Sequence, residues 1–367
     1  MPIFDQAAQT TESTHEAEPS RLRAPSGGAS TALESGPAPL HAPTSTRRQT
    51  TTLGVPAFGF LPGEFAIRTY LKNTYLTARD GGRHSIDAVV TAATTLGPNE
   101  KFKLTTIQPD YTTIQTPQGY YVSAVGEGGL GGNFPASQVL QTERTSLADD
   151  ALFILGGPGA AGGSNIQTFN GHYLTALGGG GKTTNAFHTD ATGVSTWETF
   201  WVLKSGDLGS GYRYAIRPIG TGGPGEVVSF LTAAGGSGRP GFQDGEPPIT
   251  HFSGLFADSQ FTLIRLGDGS YALQTPSGNY VTAVGGGGIA NGVNLHTDAT
   301  QIQAWEKFKI VDQGNATYTI QTVSGFYLAV NTSVLQASGG ISTRISFPDA
   351  APQIGYTAKF ELMMIGA

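Results

Sequence analysis

From residue 65 onward, apolar and polar positions trade places with a period of two over short runs. Phe65-Ala66-Ile67-Arg68-Thr69-Tyr70 is the first of them. That period belongs to a strand with one buried face. β-branched and aromatic residues fill the runs, and Gly, Asn, Asp and Pro punctuate them, as strands separated by tight turns require. The runs pair into a hairpin signature that returns six times. It reads FAIRTYLKNTYLTA at 65–78, TTIQTPQGYYVSA at 112–124 and SNIQTFNGHYLTA at 164–176. It then reads YAIRPIG…VVSFLTA at 214–233, YALQTPSGNYVTA at 271–283 and YTIQTVSGFYLAV at 318–330. Each copy is followed, 24 to 30 residues later, by a strand centred on a phenylalanine: Phe102, Phe153, Phe200, Phe261, Phe308 and Phe360.

Six units of about 50 residues therefore account for 65–367. Two strands in the hairpin, one in the variable middle and one at the Phe give four per unit. Such a unit cannot bury its own apolar face, so units must close on one another. Three units close a β-trefoil, whereas six in one ring make a propeller. Units 2 and 5 match best in the hairpin (QTPQGYYVSAVGEGG against QTPSGNYVTAVGGGG), three apart, as duplication of a three-unit domain leaves them. Units 3 and 5 match best further on, two apart.

In units 3 and 5 the motif runs Y-[LV]-T-A, a glycine run, then W-E-x-F. The residues are Tyr173–Ala176, Gly178–Gly181 and Trp197-Glu198-Thr199-Phe200, and again Tyr280–Ala283, Gly285–Gly288 and Trp305-Glu306-Lys307-Phe308. This combination resembles the fascin-like family of β-trefoils. The resemblance implies an all-β chain of two tandem β-trefoil domains, near 61–211 and 212–367. It also implies a role in cross-linking actin filaments. Unit 4 departs most, with the insert IGTGGPGEVV in its hairpin and RPGFQDGEPPITHF in its middle. Unit 1 has Lys72-Asn73-Thr74 where other hairpins turn on glycine. The repeated Q-x-W signature of ricin-type trefoils is absent; Q-x-W occurs once, at Gln303-Ala304-Trp305.

Residues 1–60 lack this alternation and are rich in Ser, Thr, Ala, Pro, Glu and Gln. Such a segment buries too little surface to offset its ordering entropy. It reads as an extended or disordered arm: a solubilising tail, or an anchor that orders on an assembly partner.

Composition narrows the classes. With 53 Gly, 21 Pro and 13% charged residues, a charged helical bundle is excluded. The net charge of −6 and the lack of any basic run argue against nucleic acid. With no cysteine there is no disulfide, thiolate metal site or cysteine nucleophile. No apolar stretch is long enough to span a membrane and the N-terminus is no secretory signal. The expected location is thus open: cytoplasmic, or exported by another route or within a larger particle.

Catalytic motifs are missing. Ala176–Thr183 (ALGGGGKT) imitates a phosphate-binding loop, but no helical period follows it, so it reads as a glycine turn between strands. Asp149 and Asp150, adjacent on a strand, would point to opposite faces. We expect no enzyme, cofactor or metal. His-Thr-Asp-Ala-Thr occurs at 188–192 and 296–300, each time five residues before a Trp. Alternation places His188 with Asp190, and His296 with Asp298, on one side of a strand. There they can meet sugar hydroxyls or supply two metal ligands, too few for structural zinc. The local alternative is that Asp and Thr merely cap a turn. The residue after each hairpin-turn glycine varies (Tyr120, His172, Asn279, Phe326) and is a second candidate contact. Trp197 and Trp305, in register with the Phe anchors, read as packing. Trp201, matched by Lys309 in unit 5, reads as the surface candidate. Sequons at Asn315 and Asn331 exist by pattern alone.

The favoured expectation is a non-catalytic binder of a repetitive polymer, most plausibly a glycan, because repeated shallow sites gain avidity. An architectural component anchored by its arm is one alternative. Actin cross-linking is the other, opposed by the 17 basic and 22 acidic residues of 61–367 (four basic and five acidic residues fall in the arm).

Overall fold

The computed structural model describes residues 63–108, 110–156, 162–219, 229–239, 249–253, 255–288, 295–331, 345–346 and 356–366. The expected arm and most of the two unit 4 insertions lie outside these residues. All described regular structure is strand or short 3₁₀ turn.

In the first half the strands are β1 (Gly63–Thr69), β2 (Tyr75–Ala78), β3 (Val89–Ala93), β4 (Lys101–Gln108), β5 (Tyr111–Gln115) and β6 (Tyr121–Ala124). They continue as β7 (Leu140–Arg144), β8 (Phe153–Gly156), β9 (Asn165–Thr168), β10 (Tyr173–Ala176), β11 (Phe187–Ala191) and β12 (Phe200–Lys204). Antiparallel pairing runs β1–β4–β5–β8–β9. Ser164 and Phe200 exchange two 2.7 Å backbone hydrogen bonds that join β9 to β12, and β12 pairs back along β1. The result is a closed six-stranded barrel, which leaves no sheet edge. The other six strands form hairpins β2–β3, β6–β7 and β10–β11.

The second half repeats the plan. Its strands are β13 (Tyr212–Pro218), β14 (Ser229–Ala233), β15 (Ile249–Ser253), β16 (Gln260–Arg265), β17 (Tyr271–Gln274), β18 (Tyr280–Ala283) and β19 (Leu295–Ala299). Then follow β20 (Phe308–Asp312), β21 (Thr317–Thr322), β22 (Ala329–Asn331), β23 (Ile345–Ser346), β24 (Tyr356–Thr357) and β25 (Phe360–Gly366). The ring is β13–β16–β17–β20–β21–β25 and back to β13. Hairpins β14–β15 and β18–β19 project from it, and β22 pairs with β23 and β24. Three units thus serve each barrel, and the single six-unit ring is ruled out by the pairing. The six anchor phenylalanines are at most 1% exposed; fully burying each is worth about 1.5–3 kcal/mol.

Units within a barrel are held together by a repeated contact that the spacing alone does not reveal. Among the described residues, four glycine turns dock on the third strand of the next unit, where one fully buried threonine receives each. Arg83 N donates to Thr142 O, and Thr142 N to His84 O. Gly129 and Leu130 bond Thr189 in the same way, and Gly181 and Lys182 bond Thr91. The order is unit 1 on 2, 2 on 3, and 3 on 1, a closed threefold ring. In the second barrel Gly238 and Arg239 bond Thr297. The hydroxyls add further bonds: Thr91, Thr142, Thr189 and Thr297 each accept an N–H at 3.1–3.2 Å from the docked turn. Buried backbone groups must be paired, and these threonines complete the pairing.

The barrels meet through the outer faces of β1, β12, β13 and β25. On β12, Phe200 and Val202 point into the barrel, while Trp201 and Leu203 point out into a second apolar cluster. Ala66, Ala215, Met363 and Ile365 join them from the other three strands. This corrects the reading of Trp201 as a surface ligand contact. It is 1% exposed, lies 5.6 Å from the Tyr70 ring, and carries the Arg217 guanidinium 4.7 Å above its ring. Beside it, Arg68 and Arg217 both bind the buried Glu361 carboxylate, at 2.6 and 2.7 Å. The outward position that carries Lys309 in unit 5 faces the other barrel here instead.

Lys204 closes the end of β12. Its buried ammonium donates to the Glu64 and Ser205 carbonyls at 3.1 and 2.6 Å and lies 5.2 Å from the Phe65 ring. Burial outweighs the nearby Glu64, Asp207 and Asp312 carboxylates and lowers its pKa to about 8. The folded chain therefore holds this proton more weakly than the unfolded one, so the charged amine opposes folding. The penalty is complete below about pH 8 and vanishes above the ordinary value of 10.5. Burial pushes the Tyr214 and Tyr318 phenols above their usual range, so they stay neutral across this window. Denaturation midpoints in urea should rise from pH 7.5 to 9.5 relative to those of Lys204→Met. Parallel profiles for the two proteins would refute this assignment.

Candidate functional site

The His-Thr-Asp strands have a divided role. In β11, Phe187 and Thr189 face inward and are buried, Thr189 as the docking threonine. His188 and Asp190 face outward, half-buried and exposed, with Nδ1 and Oδ1 3.9 Å apart. β19 repeats this with Leu295 and Thr297 inward and His296 and Asp298 outward, again 3.9 Å apart. The expected sharing of one side is what the strand geometry delivers. Among the described residues no cluster of three or more His, Cys, Asp or Glu can hold a metal ion.

The hairpin register ties each pair to its tryptophan segment. His188 lies opposite Thr175, whose hydroxyl donates to Glu198 Oε1 at 2.8 Å. His296 lies opposite Thr282, which donates to Glu306 Oε1 at 2.7 Å. The other carboxylate oxygen of Glu198 accepts from Ser195 N, and that of Glu306 from Gln303 N. The Glu of W-E-x-F thus ties a turn to the hairpin.

The tryptophan before it does the opposite of what its regular spacing suggests. Trp197 is 41% exposed and Trp305 47%, so the packing role expected for them is corrected. Both precede the anchor strand in a turn, where strand parity does not fix direction. Trp305 Cδ1 lies 4.0 Å from where a Cβ on Gly286 would stand, so the indole borders the glycine turn. A half-exposed indole beside a bare backbone turn is a flat apolar platform with a polar edge.

The residues after the turn glycines serve mainly the ring contacts. Tyr120, His172 and Phe326 are half-buried, beneath Gly82, Gly129 and Gly288 of the preceding units; a Cβ there would stand 3.0, 3.5 and 2.5 Å from their rings. Asn279 instead donates from Nδ2 to Asp298 O at 3.1 Å, joining two of the candidate residues of unit 5. His172 bonds Asn170 Oδ1 at 3.0 Å. The phosphate-loop look-alike is one of the docking turns. Its Gly181 and Lys182 amides are committed to Thr91, and a strand follows it.

No protein family profile matches the chain, and no curated protein matches it in sequence. Structural neighbours at coarse likeness include β-trefoil proteins. A designed 3-fold symmetric protein, ThreeFoil, is 12% identical over 40% of this chain and 99% of its own, with a TM-score of 0.34. The Rhizoctonia solani agglutinin is 14% identical over 40% of this chain and 97% of its own, at 0.32. A mosquitocidal holotoxin is 10% identical over 83% of this chain, at 0.34, and the aligned part is 34% of its length. At these scores the architecture rests on the strand pairing of the chain itself, and the fascin-like resemblance on its repeat motifs.

Proposed function

We propose that the chain is a non-catalytic binding protein made of two tandem β-trefoils, over 61–211 and 212–367, that holds a repetitive glycan. The observation that carries the reading is the pair of repeat-equivalent exposed indoles, one in each barrel, each tied by Thr and Glu to a strand with an outward His–Asp pair. The buried thr and Glu of these motifs have structural partners. The half-buried His and the exposed Asp and Trp face outward, where an indole offers a surface for the C–H face of a sugar ring and the His–Asp pair meets hydroxyls.

One site in each barrel makes the binding of a polymer bivalent. Trp197→Ala and Trp305→Ala should each weaken retention on an immobilised polysaccharide. The double variant should lose about a hundredfold or more, the scale of avidity for linked sites. Glycan-array binding by the full-length chain selects the polymer, and thermal melting checks that the variants are folded. Unchanged retention of a folded double variant on the selected polymer, or silence across the array, would defeat the proposal.

A further inference from the structure

A second concavity lies on the first barrel, away from the His-Thr-Asp strands and the tryptophan turns. It is an open groove of about 800 Å³ over the outer face of β1, β4 and β5. Its floor is a cross-strand row, because Glu64 lies opposite Lys103 and Lys103 opposite Gln115. Lys101, two residues from Lys103 on β4, shares that face. One wall is the Leu96–Pro98 segment and the other the Thr116–Gly119 turn.

Both walls are pinned. Leu96 N donates to Asn315 Oδ1 of the second barrel at 2.8 Å, and Gly97 N to Glu100 Oε2 at 2.7 Å. Across the groove Gly119 N donates to Thr116 O, and Gln115 Nε2 to Gly119 O. The groove is therefore formed before any ligand arrives, which lowers the ordering cost of binding.

Its charge is unlike the rest of the chain. Lys101 is paired with Glu64 at 3.4 Å. Lys103 is exposed, and its ammonium has no hydrogen-bond or ion-pair partner among the described residues. One uncompensated cation thus sits on the floor of a preformed groove in a protein of net charge −6. The surroundings are the Gln115 amide, the Thr116 segment and the backbone of Gly63, Gly97 and Gly119, with Pro98 and Pro117 as short apolar rims. Such a lining suits hydroxyls and flat ring faces, and it lacks deep pockets for peptide side chains.

We infer that this groove binds an acidic oligosaccharide, a chain of sugar rings bearing carboxylate or sulfate groups, with one acidic group on Lys103. The inference stands on the groove alone and does not need the indole platforms.

The test uses the full-length chain titrated with sodium oligogalacturonate and with a sulfated dextran oligomer, with maltohexaose as the neutral comparison. At least one acidic oligomer should bind, more weakly at high salt. Lys103→Gln should weaken that binding about fivefold, as loss of one partly screened ion pair does. Lys309→Gln, which removes the corresponding lysine of β20, should leave it unchanged. Failure of both acidic oligomers, equal effects of the two lysine variants, or equal competition by polyglutamate would overturn the inference. The Trp197→Ala/Trp305→Ala double variant separates the two sites: it should keep acidic-oligomer binding while losing retention on the polymer selected by the array.

Discussion

Glu361→Ala is expected to destabilise the chain by about 3–5 kcal/mol, the range found when one partner of a buried ion pair is removed. Glu361 is 3% exposed and receives Arg68 and Arg217 between the two barrels. Burial alone would raise its pKa, but the two guanidinium charges outweigh burial and hold the carboxyl below its usual range. Truncation leaves two cations against Trp201 and the apolar interface with no counter-charge. Glu361→Gln keeps the shape but not the charge and should be destabilising too. Arg68→Met/Arg217→Met/Glu361→Leu, which removes every charge together, should recover most of the loss, because hydrophobic replacement of a whole buried triad is often neutral or stabilising. Urea denaturation checks all three, and an alanine variant within about 1 kcal/mol of the parent would show that the triad is dispensable. Acid should act in the same direction. The stabilisation from a depressed carboxyl is present above its ordinary value near 4.5 and is lost as pH falls through the lower folded value.

The same interface marks where the sequence was readable and where it was not. The period-two runs, the six Phe anchors and the three-apart match of units 2 and 5 led to an all-β chain whose barrels each use three units. What they did not carry was the second burial of four strands. Phe200-Trp201-Val202-Leu203 and Phe360–Ile365 are apolar at nearly every position, whereas Phe308-Lys309-Ile310 alternates. A run apolar on both parities is buried on both faces. That signal was present at Trp201 and would have placed it between domains. The paired His and Asp were legible because strand parity is local. The exposure of Trp197 and Trp305 was not, because both sit in turns whose direction is set by tertiary contacts. Of the docking threonines, Thr189 and Thr297 were visible only as the middle of His-Thr-Asp and Thr91 and Thr142 stood in no motif; the partners of all four lie some 58 to 91 residues away. The groove over β1, β4 and β5 takes Gln115 from a repeated hairpin, Lys103 from beside an anchor Phe and its Leu96 wall from no repeated motif, and only strand register brings them together.

Gly180→Ala should cost about 2–5 kcal/mol, from a left-handed backbone that disfavours a side chain, about 1–3, and from overpacking, about 1–3. Gly180 has φ +108, and a Cβ there would stand 2.5 Å from Thr69 Oγ1 and 2.8 Å from Thr74 Oγ1. Those two buried hydroxyls share a 3.1 Å hydrogen bond, and Thr74 also accepts from Gly181 N at 3.0 Å. The methyl group has no flexible side-chain end to displace, so the turn must lift away from unit 1. That turn is the last link of the threefold ring, and lifting it also loosens the Gly181–Thr91 docking. Gly193→Ala is the matched control: nothing lies within 4 Å of its added Cβ and its φ is not left-handed, so its effect should stay within about 0.5 kcal/mol. Asn73 shows which substitution such turns accept, for it holds φ +53 where four other hairpins use glycine. Asn tolerates that region through its short polar side chain. Thermal melting of Gly180→Ala, Gly193→Ala and Asn73→Gly decides the matter. A Gly180→Ala protein that melts with its Gly193→Ala control would mean that the ring of docked turns does not hold the units together.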